Sequence, residues 1–476
     1  MAHNQFIGFF KHLLPDRRSE RRAEKLIVDL FDSGTVVVNK FCKTHSEKIG
    51  AYRMLGNKSF NHDDLAEGLY RFCKKNAQTD HLLCIQDTTE TNFTCHKVRI
   101  GDEDPDIGPM ANKNNIGFFC HPMIVIDPKH QLPIGISSIN IWNRSLETRT
   151  KHERKYKSQD ISEKESLRWI RSAQETKELL DTAACLTIIG DRESDIYEEF
   201  VEVPDHRTHL LIRASNNRKL FGEEQNLFEK LSSSPQRAAY ELEINAGTKR
   251  IKRIAKMSLR YEKLKISQPT NRSKSKKPDY VELWAIEARE LPESVPKNED
   301  PVLWRLLTTH EINAITDALT YVEWYSLRWL IEELFHIIKS KGFCIESAQL
   351  EKGAGLKKLC VLAIQAALII MTLKLSLNNS HKVKATLLFS EEQLLFLEIY
   401  MSELEGKTQK LKNPYKKGTV QWSAWGIARL GGWSGYISQG PPGYITLKDG
   451  LDRFNDMAIC YIAIRKYLKK KDVYKD

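Results

Sequence analysis

The sequence has no Cys-x-x-Cys pair, no internal repeat and no uninterrupted apolar run long enough to span a bilayer. Its nine cysteines (Cys42, Cys73, Cys84, Cys95, Cys120, Cys185, Cys344, Cys360, Cys460) are odd in number and scattered, which argues against a disulfide framework and for reduced thiols. Cys42 with His45, and Cys95 with His96, each offer half of a zinc site, but neither has a second half at usable spacing, so no structural metal is expected. The longest apolar run, residues 359–373, is shorter than a membrane span and contains Gln365 and Thr372. It predicts a buried core helix and no membrane partner. Residues 1–18 lack a small-residue cleavage site, and their apolar stretch is broken by Lys11. No signal peptide is therefore expected, and the location expected is cytoplasmic, associated with the nucleoid. An acidic excess is also missing: 73 Lys and Arg face 62 Asp and Glu, for a net charge of +11. That balance favours a polyanionic partner, with nucleic acid foremost.

At 476 residues the chain has room for two or three domains. Residues 1–78 read as a small all-helical module, with helices over 15–33, 47–55 capped by Ser46, and 63–75, and stops at Gly34 and Gly56. Arg17, Arg18, Arg21 and Arg22 cluster at the start of the first helix. This composition fits either a helical bundle with solvated charges or a DNA-binding module. From about residue 79 the pattern changes. Short apolar runs at 82–85 and 185–189 read as buried strands that end at Asp87 and Asp191. Strands over 116–126 and 132–142 complete a meander with the first of these. A helix over 163–180 capped by Ser162, another over 194–201 and a strand over 209–213 make the region mixed α/β.

Residues 220–309 alternate in β fashion and predict a β-rich insertion. Between Lys249 and Lys277 stand twelve Lys or Arg and one acid, Glu262. That stretch reads either as a flexible solvated hairpin or as one that touches phosphates. Residues 376–476 become helical again, with helices over 391–404 and 447–468 and one between them that stops at Gly431-Gly432.

The stretch 325–339, without Gly or Pro, predicts one helix. At about 100° per residue, Tyr325, Arg328, Glu332, His336 and Lys339 share a stripe, opposite Leu327, Leu330, Ile331, Leu334 and Ile338; Glu333 points away from the stripe. The stripe is either the solvated face of an amphipathic helix or a site that holds a metal through Glu332 and phosphate oxygens through the cations. Two strand-end aspartates plus a carboxylate on a helix are what a two-metal phosphoryl-transfer site needs. Asp87, Asp191 and Glu332 supply them.

At these residues the chain resembles the DDE transposases of bacterial insertion sequences, in the hairpin-forming, Tn-five-like branch of the IS-four superfamily. The resemblance rests on Asp87-Thr88-Thr89, on Asp191-Arg192-Glu193-Ser194-Asp195-Ile196, and on the signature Tyr-x-x-Arg-x-x-x-Glu-x-x-x-x-x-x-Lys at Tyr325, Arg328, Glu332 and Lys339. Gly50-Ala51-Tyr52-Arg53, Glu163-Lys164-Glu165-Ser166 and Ile427-Ala428-Arg429-Leu430-Gly431-Gly432 are similar to the family as well.

The resemblance implies an RNase H-like catalytic core over 79–375, interrupted by the 220–309 insertion. It also implies an all-α DNA-binding domain before the core (1–78) and an all-α dimerisation domain after it (376–476). It implies two Mg²⁺ ions, replaceable by Mn²⁺, on Asp87, Asp191 and Glu332. Arg213, Tyr325, Arg328 and Lys339 are implied to contact phosphates near the cut end, and Trp304 to stack on a base flipped out of the hairpin. Arg17, Arg18, Arg21, Arg22, Tyr52 and Arg53 are expected to contact DNA from the N-terminal module. The activity implied is cut-and-paste transposition by a homodimer on double-stranded DNA, both transposon terminal inverted repeats and target. Water cuts one strand at each end, the freed 3′-OH attacks the opposite strand to form a hairpin, a second water opens it, and the 3′-OH attacks the target. The rivals are a catalytically silent DNA-binding regulator, which a lost carboxylate would mark, and a plain RNase H-like nuclease. No carboxylate is lost, and His336 has no implied role.

Overall fold

Capping chemistry sets the N-terminal helices. The computed structural model describes residues 8–101, 103–145, 159–244, 251–269, 277–340, 342–378 and 382–473. Helix α1 (Arg17–Ser33) begins where the Asp16 carboxylate accepts from the Arg18 and Ser19 amides, and it ends at Gly34 in the left-handed region. A short α2 (Val38–Phe41) leads to α3 (His45–Leu55). Its cap is Thr44 rather than the expected Ser46, because Thr44 and Glu47 close a capping box. Asn61 and Asp64 cap α4 (His62–Asn76) in the same way.

Next come β1 (His81–Gln86), β2 (Thr89–Asn92), a short α5 (Lys97–Ile100), β3 (Gly108–Pro109), β4 (Ile116–Asp127) and β5 (Leu132–Trp142). The long β4 carries β1 and β2 on one edge and β3 and β5 on the other, all antiparallel. Helix α6 (Leu167–Leu179) starts four residues later than residue 163, because residues 161–163 form a tight turn capped by Asp160. Strands β6 (Cys185–Gly190) and β7 (Thr208–Arg213) run parallel to β1, with α7 (Tyr197–Glu202) between them in the chain.

The β-rich stretch contributes α8 (Leu227–Ser233), β8 (Ala238–Ile244), β9 (Arg253–Ser267), β10 (Tyr280–Glu290) and β11 (Leu303–Thr308). It does not form a sheet of its own. Strand β11 pairs antiparallel with β7, so the insertion prolongs the central sheet in the order β2-β4-β1-β6-β7-β11-β10-β9-β8. Residues 245–250 and 270–276, where part of the expected basic hairpin falls, lie outside the described residues.

Both faces of this sheet are covered. Leu82, Cys84, Leu186 and Ile188 pack on one side with Trp169 and Ile170 of α6 and Phe200 of α7. Leu83, Ile85 and Ile189 pack on the other, with the rest of the helices. Double coverage explains why the strands read as continuous apolar runs instead of alternating ones.

The helix expected over 325–339 is divided. Helix α9 (Ile315–Ser326) meets α10 (Trp329–Lys339) at a turn where the Leu327 amide bonds to Trp324 O (3.1 Å) and the Arg328 amide to Tyr325 O (3.0 Å). Three-residue bonding overwinds the chain and brings positions i and i+3 over one another, so Tyr325 and Arg328 align toward the sheet. Tyr325 is buried there, not exposed on a polar stripe.

Helix α11 (Gly353–Ser376) contains the longest apolar run. It is long and apolar enough to cross a membrane, and 89% of that stretch is buried inside the protein. A helix that is apolar all round needs cover all round. Here α1, α3, α4, α10 and β5 supply part of it. The rest comes from the C-terminal helices: of α12 (Glu391–Leu404), α13 (Val420–Leu430) and α14 (Tyr444–Val473), the last two pack on α11 directly and α12 packs on them. The N-terminal and C-terminal helices thus share one core, and they also meet directly where Phe31 packs on Phe389 and Lys43 pairs with Asp456 at 2.6 Å.

Candidate active site

Strands β1 and β6 are parallel neighbours in which His81 sits beside Cys185 and Ile85 beside Ile189, a constant offset of 104 residues. Continued past both strand ends, that offset places Asp87 beside Asp191, since 191 − 87 is also 104. The backbone orients each carboxylate. Asp87 Oδ1 accepts from the Thr88 amide at 2.7 Å. Asp191 caps the tight turn that follows it, accepting from the Glu193 amide at 2.8 Å. Arg328, at the α9–α10 turn, reaches Asp87 Oδ2 at 3.1 Å and also pairs with Glu332 on α10. One guanidinium therefore links the strand-end carboxylate to the helix carboxylate. Burial, and next the Asp191 charge, push the Asp87 carboxyl up to about 7. Glu332 is exposed, whereas Glu333 turns to Lys374 of α11 at 3.6 Å.

A buried polar chain supports the two aspartate loops from beneath. The Gln86 amide bonds to Glu199 (3.2 Å) and to His121 (3.2 Å), and His121 bonds to the Thr88 hydroxyl (2.9 Å). Arg168 donates to that hydroxyl (2.9 Å) and to Glu193 (2.7 Å), while Ser194 donates to Glu199 (2.8 Å). Burial pushes Glu199 up to about 8. The other acid of the Asp191 motif, Asp195, is buried and accepts from Arg218 at 2.6 Å and from the Ser215 and Asn216 amides, so it braces a loop and is not a free donor. Gln86, His121, Arg168 and Glu199 were not singled out from sequence because they come from four separate elements. The one local signal is that Gln86 precedes Asp87.

Beside the carboxylates lies a polar cavity of about 500 Å³, lined in part by Arg192, Arg213, Trp304, Arg305 and Phe228. Trp304 is half-buried and meets the Tyr325 ring edge to face at 5.6 Å. The Arg213 and Arg328 charges both act on the Tyr325 phenol, whose acidity burial weakens. Arg213 also donates to Leu303 O at 3.1 Å. Lys339, about two turns on from Glu332 along the same face, is half-buried and donates to Glu90 O at 2.7 Å. His336 is exposed. The structure therefore gathers Tyr325, Arg328, Arg213 and Trp304 next to the carboxylates.

The N-terminal set occupies other elements, α1 and α3. Arg17, Arg18, Arg21, Tyr52 and Arg53 are exposed, and Arg22 is half-buried. The Arg22 guanidinium lies over Gly50 in the middle of α3, where a Cβ would stand 2.5 Å from it.

Three carboxylates, two of them side by side at strand ends and the third tied to them through Arg328, make a hard oxygen donor set. In donor chemistry the three carboxylates fit a divalent ion, and in this structure the Arg328 guanidinium is the cation that Asp87 and Glu332 share. Residues 111–370 match the family described as transposase DDE domain. The match includes Asp191 and Glu332 and begins downstream of Asp87.

Proposed function

The chain belongs to the transposases with a DDE domain, a family that acts on DNA with divalent metal ions, and from that premise we propose that it performs cut-and-paste transposition with Asp87, Asp191 and Glu332 as the catalytic carboxylates. The observation that carries this reading is the in-register placement of Asp87 and Asp191 at adjacent parallel strand ends, with Arg328 joining Asp87 to Glu332. Asp87, Asp191 and Glu332 would hold two Mg²⁺ ions, or Mn²⁺ in their place, which would supply charge for activating an attacking oxygen and stabilising a leaving one.

The chain's own residues do the rest. The Thr88 and Glu193 amides fix the carboxylate orientations. Arg328, Arg213, Lys339 and the Tyr325 hydroxyl hold phosphates near the cut end, where charge-assisted bonds position the scissile strand. Trp304 lines a cavity next to the carboxylates that is large enough to admit a nucleotide, and this supports the hairpin-forming route, in which an unstacked base at a tight DNA turn needs an aromatic face.

The strand order β5-β4-β1-β6-β7, an antiparallel meander followed by two parallel strands, supports an RNase H-like core within 79–375. Exposed arginines on α1 and α3 support DNA contact by 1–78. On α14, Cys460, Ile464, Tyr467 and Leu468 recur at three- and four-residue spacing and are exposed, which supports dimerisation through 376–476. In this scheme the dimer brings two terminal inverted repeats together and carries them to target DNA.

The test is a labelled DNA bearing the element's terminal repeat, incubated with protein and Mg²⁺ and run on a denaturing gel. A hairpin product that disappears in Asp87→Ala is the expected result. A hairpin persisting in that variant rules out the assigned chemistry, and no product with wild type favours a silent DNA-binding regulator.

A further inference from the structure

The register that pairs Asp87 with Asp191 pairs His81 with Cys185 at the opposite ends of the same two strands. Six residues at about 3.3 Å each put about 20 Å between the two sites. Just past β11, His310 completes a second cluster: His81, Cys185 and His310 each place one ligand atom within 4.8 Å of the others. His310 is buried, and His81 and Cys185 are half-buried, so the cluster is both sheltered and reachable. The rings are held by their neighbours. Trp324 of α9 meets His81 edge to face at 4.6 Å, and Tyr321 and His209 stack on His310 at 4.9 and 4.0 Å.

We propose that His81, Cys185 and His310 bind a borderline divalent cation of the zinc class, in a site separate from the carboxylates. Two imidazoles and a thiol are the donors that such a cation prefers, and the ones Mg²⁺ avoids. At the centre of the cluster lies the Thr187 hydroxyl, 2.9 Å from His81 Nε2 and 2.7 Å from His310 Nε2. A hydroxyl has one proton, so it donates to one ring and accepts from the other. Both ring nitrogens thus already converge on a single point. Zinc bonded at about 2.0 Å to nitrogen and about 2.3 Å to sulfur holds tetrahedral ligands about 3.3–3.8 Å apart, so the three side chains need to close by about 1 Å. On binding, the Cys185 thiol releases its proton to water, the ring that donates to Thr187 shifts its proton from Nε2 to Nδ1, and Thr187 turns its own proton to the thiolate, as an outer partner that orients a ligand. Water completes the tetrahedron from the open side. Burial holds both rings in the uncharged form that can ligate. The cation ties β1 and β6 to the segment that leads into α9, the helix whose last turn carries Tyr325. Sequence spacing hides this site, because its members stand 104 and 125 residues apart.

Cobalt(II) is the probe, because thiolate ligation gives a near-ultraviolet charge-transfer band that carboxylates cannot give. Full-length reduced protein, kept in excess Mg²⁺ to fill the oxygen site, is titrated with Co²⁺. One equivalent should produce the charge-transfer band with tetrahedral visible bands. Zn²⁺ should bleach both, and Zn²⁺ should raise the unfolding midpoint by a few degrees. Asp87→Ala should keep the band. Cys185→Ser should lose it, and His81→Asn should shift the visible bands; circular dichroism checks that each variant is folded. Absence of the band in wild type, or its survival in Cys185→Ser through the exposed Cys95, Cys344 or Cys460, overturns the site and leaves Thr187 as the centre of a plain hydrogen-bonded cluster.

Discussion

Asp87 carries the strongest electrostatic signature of the site. Its carboxyl is raised from 3.8 to about 7, chiefly by burial and then by Asp191. A group raised in this way folds more easily protonated. Its favourable contribution is complete below pH 4 and is lost as pH climbs through 7. Asp87→Asn is neutral throughout, so at pH 8 in a chelator it should be more stable than wild type by about 1–3 kcal/mol. The same variant should lose strand cleavage about 1,000-fold or more. Calorimetry in EDTA checks the first statement; equal midpoints for the two proteins would mean that Asp87 is not under charge strain. The same proton also competes with the metal. Mg²⁺ affinity, measured by calorimetric titration, should rise about tenfold from pH 6 to pH 8 and flatten above that. A flat profile across that range would contradict the assignment.

Among the elements, α13 and α14 show what a motif of small residues is for. A Cβ on Gly431 would stand 1.9 Å from Thr446 O, and one on Gly450 would stand 1.9 Å from Ile427 O. The two helices cross backbone to backbone, and no side chain fits between them. Gly450→Ala should therefore destabilise the protein by about 2–3 kcal/mol or more, read from denaturant unfolding. A loss below half a kilocalorie would show that the crossing can open. The exposed stripe at the far end of α14 leads to the opposite kind of outcome. Ile464 is 60% exposed, so Ile464→Glu should leave monomer stability within about 0.5 kcal/mol of wild type. Sedimentation of the protein bound to paired DNA ends should nevertheless show the dimer weakened about tenfold or more. An unchanged dimer would move the interface elsewhere.

For the molecule as a whole, net charge sets the terms of DNA binding. With a net charge of +11 and arginines exposed on α1 and α3, the protein should release several condensed counterions on binding. Six to ten phosphate contacts correspond to a loss of about 10³–10⁵ in affinity between 50 and 200 mM salt. Fluorescence anisotropy with terminal-repeat DNA measures the slope. Replacing Arg17, Arg18 and Arg21 together by Ala should reduce it by up to about three units. An unchanged slope would place the N-terminal contacts on other residues. The same whole-molecule view changes how the segments relate. Helices from both chain ends cover α11 and share one apolar core, so neither flank can be altered without reaching the helix that backs α10 and Glu332.

Local information determined a good deal here. Apolar runs covered on both faces marked β1 and β6, and therefore the ends that deliver Asp87 and Asp191. Helical periodicity separated Glu332 from Glu333, and the Gly pair stopped α13. Each of these depends on neighbours within a turn or a strand, which is the range over which sequence patterns carry information. What lay beyond that range was decided by packing. The turn between α9 and α10 forms where Arg328 is held by two carboxylates, one of them 241 residues away. The insertion became part of the central sheet because β7 had a free edge for β11 to pair with. Thr44 displaced Ser46 as a cap, a choice between adjacent candidates that only the closed capping box resolves. The polar chain through Gln86, His121, Arg168 and Glu199, and the cluster of His81, Cys185 and His310, join residues from separate elements. Spacing along the chain holds no trace of them, since only the register of neighbouring strands brings them together.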